Sequence, residues 1–271
     1  MSIVREPLDP KLSMWHFLSY YLRFVREKEG LSLTQWGRII GAARSSVSNM
    51  EAGRHRLQND QAELIDRHLG LGRLFQMLLW YARMAHDPEW SKQYDSFERQ
   101  SYMIWIYHGQ VIPTALQTDD YTQAYVEIAD DRDFEAALAR RTERKRAVLD
   151  RTDPPDLWIV IDEAALARQV GGPKVMNAQY ERLYEMSMNP RVSLRVVAFE
   201  TGAYLGVDGP LQVLSLDSRD VAFAGAQHGD RLIETPGEVR DLHVRFDRIG
   251  AKAASEDASR EIVKRYLERC T

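Results

Sequence analysis

The sequence contains a single cysteine and no long hydrophobic run. A single cysteine, Cys270, cannot form an internal disulfide, and one cysteine is too few for a cysteine-rich zinc site. A membrane-spanning helix needs about 20 consecutive, predominantly apolar residues, and no such stretch occurs. The first residues, MSIVREPLDPKLS, lack the apolar segment and the small-residue cleavage site of a secretory signal. These absences predict a cytoplasmic protein that does not contact a membrane.

The composition is ordinary, but the charge is distributed unevenly. The chain has 271 residues, of which 44% are hydrophobic and 28% charged, and its formal net charge is −4. This is typical of a globular protein of one or two domains. Residues 1–92 carry 13 Lys+Arg and 10 Asp+Glu, a net +3, and the remainder carries 23 and 30, a net −7. A basic front and an acidic back hint at a DNA-contacting module beside a different one, although helix faces often differ by a few charges.

The front of the chain is predicted to be all-helical. Apolar residues recur there every three to four positions between glycines, which is the pattern of short amphipathic helices. Ser32 is expected to cap one helix because its hydroxyl can accept a hydrogen bond from a helix amide, and Asn59 or Asp60 is expected to cap another. Five helices are predicted, at residues 15–29, 33–40, 43 or 44 to 52, 60–69 and 74–84. This module is assigned to residues 1–92.

The rest of the chain, residues 93–271, is predicted to mix helices and strands. Runs of β-branched and aromatic residues, typical of strands, occur at 102–112, 157–161, 192–199, 211–216 and 221–224. Helices are predicted at 119–130, 134–151, 173–188 and 236–249, the first of them capped by Asp119 or Asp120, with a last helix capped by Ser255. The predicted fold class is therefore α+β, with an all-helical N-terminal domain and a mixed α/β C-terminal domain.

Two short helices separated by a glycine turn match the core of a helix-turn-helix. The helices of that motif cross steeply, so the residue four places before the turn glycine must be small, and here it is Gly37. Gly41 suits the turn because glycine adopts backbone conformations that other residues avoid. Apolar residues occupy the positions that must be buried: Trp36, Ile40, Ala42, Val47 and Met50. The pattern predicts a DNA-binding helix-turn-helix, and the alternative is an ordinary helical hairpin.

The second helix of the motif would enter the major groove with its N-terminus first. At that place Arg44 could bond to two atoms of guanine and Asn49 to two atoms of adenine, while serines could bond to base edges or phosphate. Flanking arginines would contact phosphates, which set position rather than sequence preference; a lone arginine can equally be a solvated surface charge. The residues predicted to bind DNA are Ser32, Arg38, Arg44, Ser45, Ser46, Ser48, Asn49, Arg54 and Arg56.

The segment LSLTQWGRIIGAARSSVSNMEAGR, residues 31–54, resembles the Xre/Cro-repressor class of helix-turn-helix regulators. Leu33 departs from that class, which often has a glutamine there that contacts phosphate. The remainder resembles actinobacterial Xre-type regulators with a long C-terminal domain of poorly defined function. The stretches that carry this likeness are WYARMAHDPEW, IPTALQTDDYTQA, PPDLWIVIDEAALARQVGGPKVM, ETGAYLGVDGPLQVLSL and VRFDRIGAKAASEDASREIV. Thr114 stands where that group usually has glycine, and Tyr204-Leu205 where it has His-Pro.

The resemblance implies a transcriptional regulator that binds an operator in double-stranded DNA, usually as a homodimer. It also implies a small partner protein, encoded next to the regulator gene and bound through the C-terminal domain. Such pairs are associated with developmental or antibiotic control, and some are described as antitoxin-like. The alternative for the C-terminal domain is that it senses a small-molecule effector or keeps an enzymatic activity.

No catalytic constellation stands out in the sequence, so we expect no enzymatic activity, no cofactor and no metal. HExxH, Walker A and GxSxG motifs are missing, and the histidines have no metal-ligand spacing. Asp162-Glu163 follow a strand, where acids can bind metal, but a helix N-cap is the simpler interpretation. Residues 171–174, GGPK, could bind an anion at a helix start, but a loop-to-helix turn is the simpler interpretation.

Two further features leave alternatives open. Gly202, Gly206 and Gly209 are interpreted as a long hairpin connection. The run Arg140, Arg141, Arg144, Lys145 and Arg146 could touch DNA, but a solvated helix face is the simpler interpretation. A pocket with convergent polar groups near residues 162–163 and 171–174 would favour an effector. A flat apolar groove or an exposed strand edge would favour a protein partner.

Overall fold

The computed structural model describes residues 8–84, 90–128, 133–225 and 231–270. The contacts divide the chain into two compact units, Met1–Trp90 and Ser91–Thr271. The end of the helix predicted at residues 119–130 lies outside the described residues.

The described part of the first unit consists of five helices that enclose one apolar core. Their bounds agree with the predicted helices to within one residue at each end. The helices are α1 Met14–Lys28, α2 Leu33–Ile39, α3 Arg44–Glu51, α4 Asn59–Leu69 and α5 Leu74–Met84. Each helix turns part of its apolar face towards this core, whose fully buried side chains include Leu22, Trp36, Val47, Ile65 and Phe75. The first unit is therefore a small helical domain, as predicted.

Polar side chains explain where α2 and α4 begin. Ser32 accepts a hydrogen bond from the Gln35 amide (3.3 Å), and the Gln35 side chain accepts one from the Ser32 amide (2.9 Å), which confirms the predicted cap. The cap predicted at Asn59 or Asp60 is wrong, because Gln58 precedes α4 and its amide donates to the Gln61 side chain (3.0 Å). A glutamine cap is uncommon, so sequence preferences pointed to its shorter neighbours.

The crossing of α2 and α3 depends on one glycine. A Cβ atom at Gly37 would lie 2.3 Å from the carbonyl oxygen of Ala42, so only glycine lets the two backbone segments approach this closely. The Ala42 amide donates to the Gly37 carbonyl (2.8 Å), and Gly41 between them has φ +65°. Trp36 and Val47 are fully buried at the crossing. The predicted helix-turn-helix geometry is confirmed.

A mixed six-stranded sheet organises the second unit. The strands lie in the order β3-β2-β1-β4-β5-β6. Neighbours among β1, β2 and β3 are parallel, and the pairs β1–β4, β4–β5 and β5–β6 are antiparallel. The strands are β1 Met103–His108, β2 Asp156–Asp162, β3 Val192–Val197, β4 Leu211–Leu216, β5 Arg219–Ala224 and β6 Arg231–Ile233. This sheet, with the helices around it, confirms the predicted α+β class.

Helices surround the sheet of the second unit. They are α6 Trp90–Gln100, α7 Asp119–Ile128, α8 Phe134–Leu149, α9 Glu163–Ala167, α10 Pro173–Met186, α11 Pro236–Gly250 and α12 Glu256–Cys270. Sequence patterns missed α6 and β6, whereas the short α9 was foreseen only as the helix that Asp162 would cap. The sequence of α6, WSKQYDSFERQ, is mostly polar, and its buried Tyr94 packs with the sheet side chain Phe223. The cap predicted at Asp119 or Asp120 is also wrong, because Thr118 accepts from the Tyr121 amide (3.2 Å).

The sheet order corrects the interpretation of the loop at residues 198–210. Strand β3 lies at the edge of the sheet, whereas β4 lies beside β1, so this loop crosses the sheet and is not a hairpin. The outer edge of β3 is covered, because the Val196 amide donates to the Ser259 hydroxyl (2.9 Å) and the Val196 carbonyl accepts from the Ala254 amide (2.9 Å). Covered edges resist pairing with other chains.

We predict that Gly37→Ala destabilises the α2–α3 pair by about 2 kcal/mol, because the new methyl group must displace a backbone carbonyl. Gly41→Ala is the matched control: its Cβ meets open space, and only the left-handed backbone costs about 1 kcal/mol. Hydrogen exchange of the α2 and α3 amides in the full chain measures both changes. A Gly37→Ala loss no larger than that of Gly41→Ala would contradict the close approach.

Candidate nucleic-acid interface

Helix α3 presents a polar surface on the side away from the core. Val47 and Met50 face the core, while Arg44 and Ser45 are exposed. The other residues of this helix that were predicted to bind DNA are half-buried: Ser46, Ser48 and Asn49. Side chains that could donate to base edges therefore share the outer surface of one short helix, which is the arrangement that major-groove readout requires.

The N-terminus of α3 is left uncapped. Ala43 precedes the helix and has no side chain that could accept from the first amides, and the first turn contains no acidic residue. Arg44, the first residue of the helix, is exposed. Free amides, the helix dipole and a guanidinium group all favour an anion at this end. By contrast α1, α2 and α8 begin with side-chain caps, from Ser13, Ser32 and Asp133.

The other end of α3 brings two predicted site residues together. Gly53 has φ +70°, and this left-handed turn folds the chain back so that the Arg54 amide donates to the Asn49 carbonyl (2.8 Å). The Arg54 Nε also donates to the side-chain Oδ1 of Asn49 (2.8 Å). Sequence reasoning placed Asn49 on a base and Arg54 on a phosphate, and did not foresee their contact.

The remaining predicted residues are dispersed around this surface. Arg38 is exposed on α2. The Ser32 hydroxyl donates to the Gln35 side chain (2.8 Å) while it caps α2, so it has a structural role. The guanidinium of Arg56 lies 4.0 Å from the centre of the Trp15 ring on α1. Arg56 therefore packs on α1 within the same unit.

A buried ion pair ties α3 to α1. Arg26 donates to both carboxylate oxygens of Glu51, with Nε–Oε1 at 2.6 Å and Nη2–Oε2 at 2.8 Å. Only 12% of the Arg26 side chain and 7% of the Glu51 side chain are exposed. The bond to Glu51 raises the pKa of Arg26 above its ordinary value. Arg26 also donates to the Leu31 carbonyl (2.9 Å), so one guanidinium holds the ends of α1 and α3 together. Sequence reasoning missed this pair, although an acid beside the buried Met50 was a signal.

The acidic residues at the junction of β2 and α9 have structural partners. Asp162 accepts from the Ala164 amide (2.8 Å), which confirms the N-cap interpretation, and also from the Tyr204 hydroxyl (2.6 Å). Glu163 accepts from the Phe199 amide (3.0 Å) and from the Tyr266 hydroxyl (3.1 Å). Both carboxylates thereby hold neighbouring chain segments. Residues 171–174 form the turn into α10, where Gly171 and Gly172 have positive φ, as the simpler interpretation expected.

Tyrosine hydroxyls extend this arrangement at the carboxyl ends of the parallel strands. Tyr107 at the end of β1 lies 2.7 Å from the Tyr204 hydroxyl. Burial, and then the hydrogen bond to Asp162, raise the pKa of Tyr204 far above its ordinary value. Burial and the negative charge of Glu163 raise the pKa of Tyr266 to about 12. These hydroxyls therefore stay protonated at neutral pH and act as hydrogen-bond donors.

The basic run of α8 is not a uniformly solvated face. Arg144 bonds to Glu98 of α6, and its guanidinium lies 4.5 Å from the centre of the Tyr94 ring. Lys145 forms an ion pair with Asp119. The solvated-face interpretation is therefore wrong for Arg144 and Lys145, because both pack against other helices of their unit.

His108, at the end of β1, is a neutral histidine whose protonation is affected by the arginines of α8. His108 Nε2 is 3.2 Å from the side-chain nitrogen of Gln212, which can only donate, so that ring nitrogen carries no proton. Burial, and then the positive charges of Arg144 and Arg141, lower the pKa of His108 to about 4. The histidine of β1 thus accepts a hydrogen bond from Gln212 of the neighbouring strand β4.

Neither a metal cluster nor a membrane helix is found in the part of the chain that the structure describes. Within those ranges, no group of three His, Cys, Asp or Glu side chains could hold a metal ion. Across the same residues, no helix is long and apolar enough to span a bilayer.

Comparison with known protein families matches both parts of the chain. Residues 18–74 match a family described as a helix-turn-helix domain. Residues 92–265 match a family described as a domain of unknown function (DUF5753). No curated protein and no solved structure matches the chain. The first match runs from within α1 to the start of α5 and includes all nine residues predicted to bind DNA.

We predict that acid weakens the second unit through His108. Its pKa is lowered in the folded protein, so its stabilising contribution is complete above the unfolded pKa of about 6.5 and is lost as the pH falls towards 4. Urea unfolding at pH 7 and pH 5, with β1 followed by pulsed hydrogen exchange, should show a loss of roughly 1–2 kcal/mol.

The variant His108→Gln cannot take up this proton, so its stability should depend less on pH by the same amount. His55→Gln is the matched control, because His55 is an exposed residue of the first unit. Identical pH dependence in wild type and His108→Gln would contradict the assignment.

Proposed function

The chain belongs to the protein family described as a domain of unknown function (DUF5753). Because a helix-turn-helix domain precedes that domain in the sequence, we propose that the protein is a sequence-specific, DNA-binding transcriptional regulator. The observation that carries this proposal is the outer surface of α3. This helix crosses α2 closely at Gly37, its N-terminus is uncapped, and Arg44 is exposed to solvent. These features suit a helix that enters the major groove N-terminus first.

The chemistry of the surface supports two classes of contact. Arg44 and Ser45 project from the leading turn of α3, where they would meet base edges. Arg38 is exposed on α2 and has no ion-pair partner among the described residues, which suits a phosphate contact. In this proposal Arg38 sets the register of the protein on the duplex and Arg44 reads a base.

We propose that the regulator works as a homodimer, as the Xre resemblance implies. Support comes from exposed apolar side chains on α1 and α5, two helices that pack against each other. They are Tyr20, Phe24, Leu74, Met77, Trp80 and Tyr81. Aromatic side chains and methionine are enriched in protein interfaces, and a stable interface buries roughly 800 Å² per partner. A dimer would read two half-sites about one helical turn, roughly 34 Å, apart.

We further propose that the second unit binds a small partner protein and has a regulatory rather than an enzymatic role. Phe199 and Val207 are 56% and 68% exposed on the loop that crosses from β3 to β4. The loop is nevertheless held in place, because Tyr204 donates to Asp162, and Arg245 bonds to Asp208 and to the Leu205 carbonyl. A fixed loop with apolar side chains in solvent suits a protein contact. The antitoxin-like role rests on the resemblance alone.

We predict that Arg44→Ala weakens specific binding by about 1–3 kcal/mol and relaxes the preference at one base pair. A binding-site selection with the full chain, followed by affinity measurements at several salt concentrations, tests this. The slope of log affinity against log salt should change little in Arg44→Ala, whereas Arg38→Ala should reduce it by about 1, because a phosphate contact is lost. Arg240→Ala, which removes an exposed arginine from α11, is the matched control. Unchanged base preference in Arg44→Ala would overturn its role, and salt-independent binding would overturn the proposed function.

We predict that Met77→Glu abolishes the dimer, because it places a charge among the exposed apolar side chains of α5. Val244→Glu is the matched control, since Val244 is a similarly exposed apolar residue on α11 of the other unit. Mass measurements on the protein bound to a selected duplex distinguish one copy from two. Two copies of Met77→Glu on that duplex would contradict the assigned surface.

A further inference from the structure

The contact between Arg54 and Asn49 determines how the asparagine can meet DNA. Asn49 lies on the last turn of α3, and Gly53 turns the following chain back over it with φ +70°. The Asn49 carbonyl then accepts from the amides of Arg54 (2.8 Å) and His55 (3.2 Å). The Arg54 side chain completes the arrangement, with its Nε 2.8 Å from Asn49 Oδ1.

The chemistry of the two side chains fixes the orientation of the amide. A guanidinium group only donates hydrogen bonds, so the Asn49 atom that faces it must be the carbonyl oxygen. The NH2 group of Asn49 therefore points away from Arg54. Because the backbone of Arg54 is itself bonded to Asn49, the arginine needs little further ordering to hold this orientation.

The same bond changes what the amide can recognise. Adenine presents a donor and an acceptor in the major groove, so an asparagine that reads adenine must both accept and donate. Here the Oδ1 of Asn49 already accepts a charge-assisted bond, which competes for its acceptor capacity and polarises the N–H groups as stronger donors. Guanine presents two acceptors, O6 and N7, and suits a side chain that acts as a donor.

We propose that Arg54 is a positioning residue that holds Asn49 as a hydrogen-bond donor, so that Asn49 selects guanine rather than the adenine that a free asparagine would read. The inference rests on the proposed DNA-binding function and deepens it. It also changes the expected role of Arg54, which acts through Asn49 and not chiefly through a phosphate.

The test is a binding-site selection with the full-length protein and its variants on random duplex DNA. Asn49→Ala identifies the base pair that Asn49 contacts, because preference disappears there. At that position the wild type should prefer guanine over adenine by about tenfold. Arg54→Ala should remove that preference or reverse it towards adenine, with the other positions unchanged.

Two further variants separate positioning from charge. Arg54→Lys keeps the positive charge but lacks the guanidinium Nε, so it should lose the guanine preference as Arg54→Ala does, while it keeps the wild-type salt slope. Arg38→Ala should weaken binding equally on all sequences and leave the guanine preference intact. A uniform loss of affinity in Arg54→Ala, with the preference retained, would overturn the positioning role and return Arg54 to a phosphate contact.

A second measurement needs no DNA and guards against a misfolded variant. In the free protein, ¹⁵N relaxation of the Asn49 side-chain amide should report greater mobility in Arg54→Ala and Arg54→Lys than in wild type or Arg38→Ala. An equally rigid amide in all four proteins would overturn the inference. If no sequence is enriched even with the wild type, the proposed DNA-binding function fails and this inference fails with it. Enrichment by the wild type with an unaltered profile for Arg54→Ala overturns this inference alone.

Discussion

The proposed DNA-reading surface depends on the approach of two backbone segments at Gly37. With no Cβ atom at that position, the Ala42 carbonyl can lie where a methyl group would be 2.3 Å away. This lets α3 cross α2 so closely that Trp36 of α2 and Val47 of α3 are both buried in the same core. A helix seated on its apolar side in this way must carry its polar residues outward. The polar surface that includes Arg44 and Ser45 is thus a consequence of how α3 packs.

The C-terminal end of α3 is held by side-chain contacts and its N-terminal end is not, and this difference suits a recognition helix. The C-terminal end is held by the Arg26–Glu51 pair, whose side chains are nearly buried, and by the turn at Gly53. Breaking such a pair leaves an uncompensated charge inside the protein, so it fixes the direction of the helix strongly. The N-terminal end has no cap and begins with an exposed arginine. Stability is therefore supplied chiefly at the C-terminal end, and unsatisfied amides remain at the N-terminal end, where they suit phosphate.

Local patterns in the sequence were sufficient for the first unit and insufficient for the second. Helix periodicity and glycine stops predicted α1 to α5 because these signals act over a few residues. The contacts that define the second unit join distant residues: Arg144 bonds to Glu98, and His108 to Gln212. A charged side chain in a polar helix looks solvated until its partner is known, so α6 and the inward role of Arg144 were missed. The strand order, which separates β3 from β4, likewise depends on pairings that no local signal encodes. In the candidate site, the helix pattern placed Asn49 on the outer face of α3. Only the fold revealed that Arg54 donates a hydrogen bond to the side-chain oxygen of Asn49.

The acidic residues after β2 show how polar groups that resemble a site can instead build a surface. Asp162 and Glu163 accept bonds from Tyr204, Tyr266 and the backbone, and the raised pKa values of both tyrosines keep their hydroxyls protonated as donors. Their combined effect is to hold the loop between β3 and β4 while Phe199 and Val207 remain in solvent. A loop that is already ordered loses little conformational entropy when a partner covers it. The same carboxylates that suggested metal or effector chemistry in the sequence thus serve, through their contacts, to order this end of the sheet.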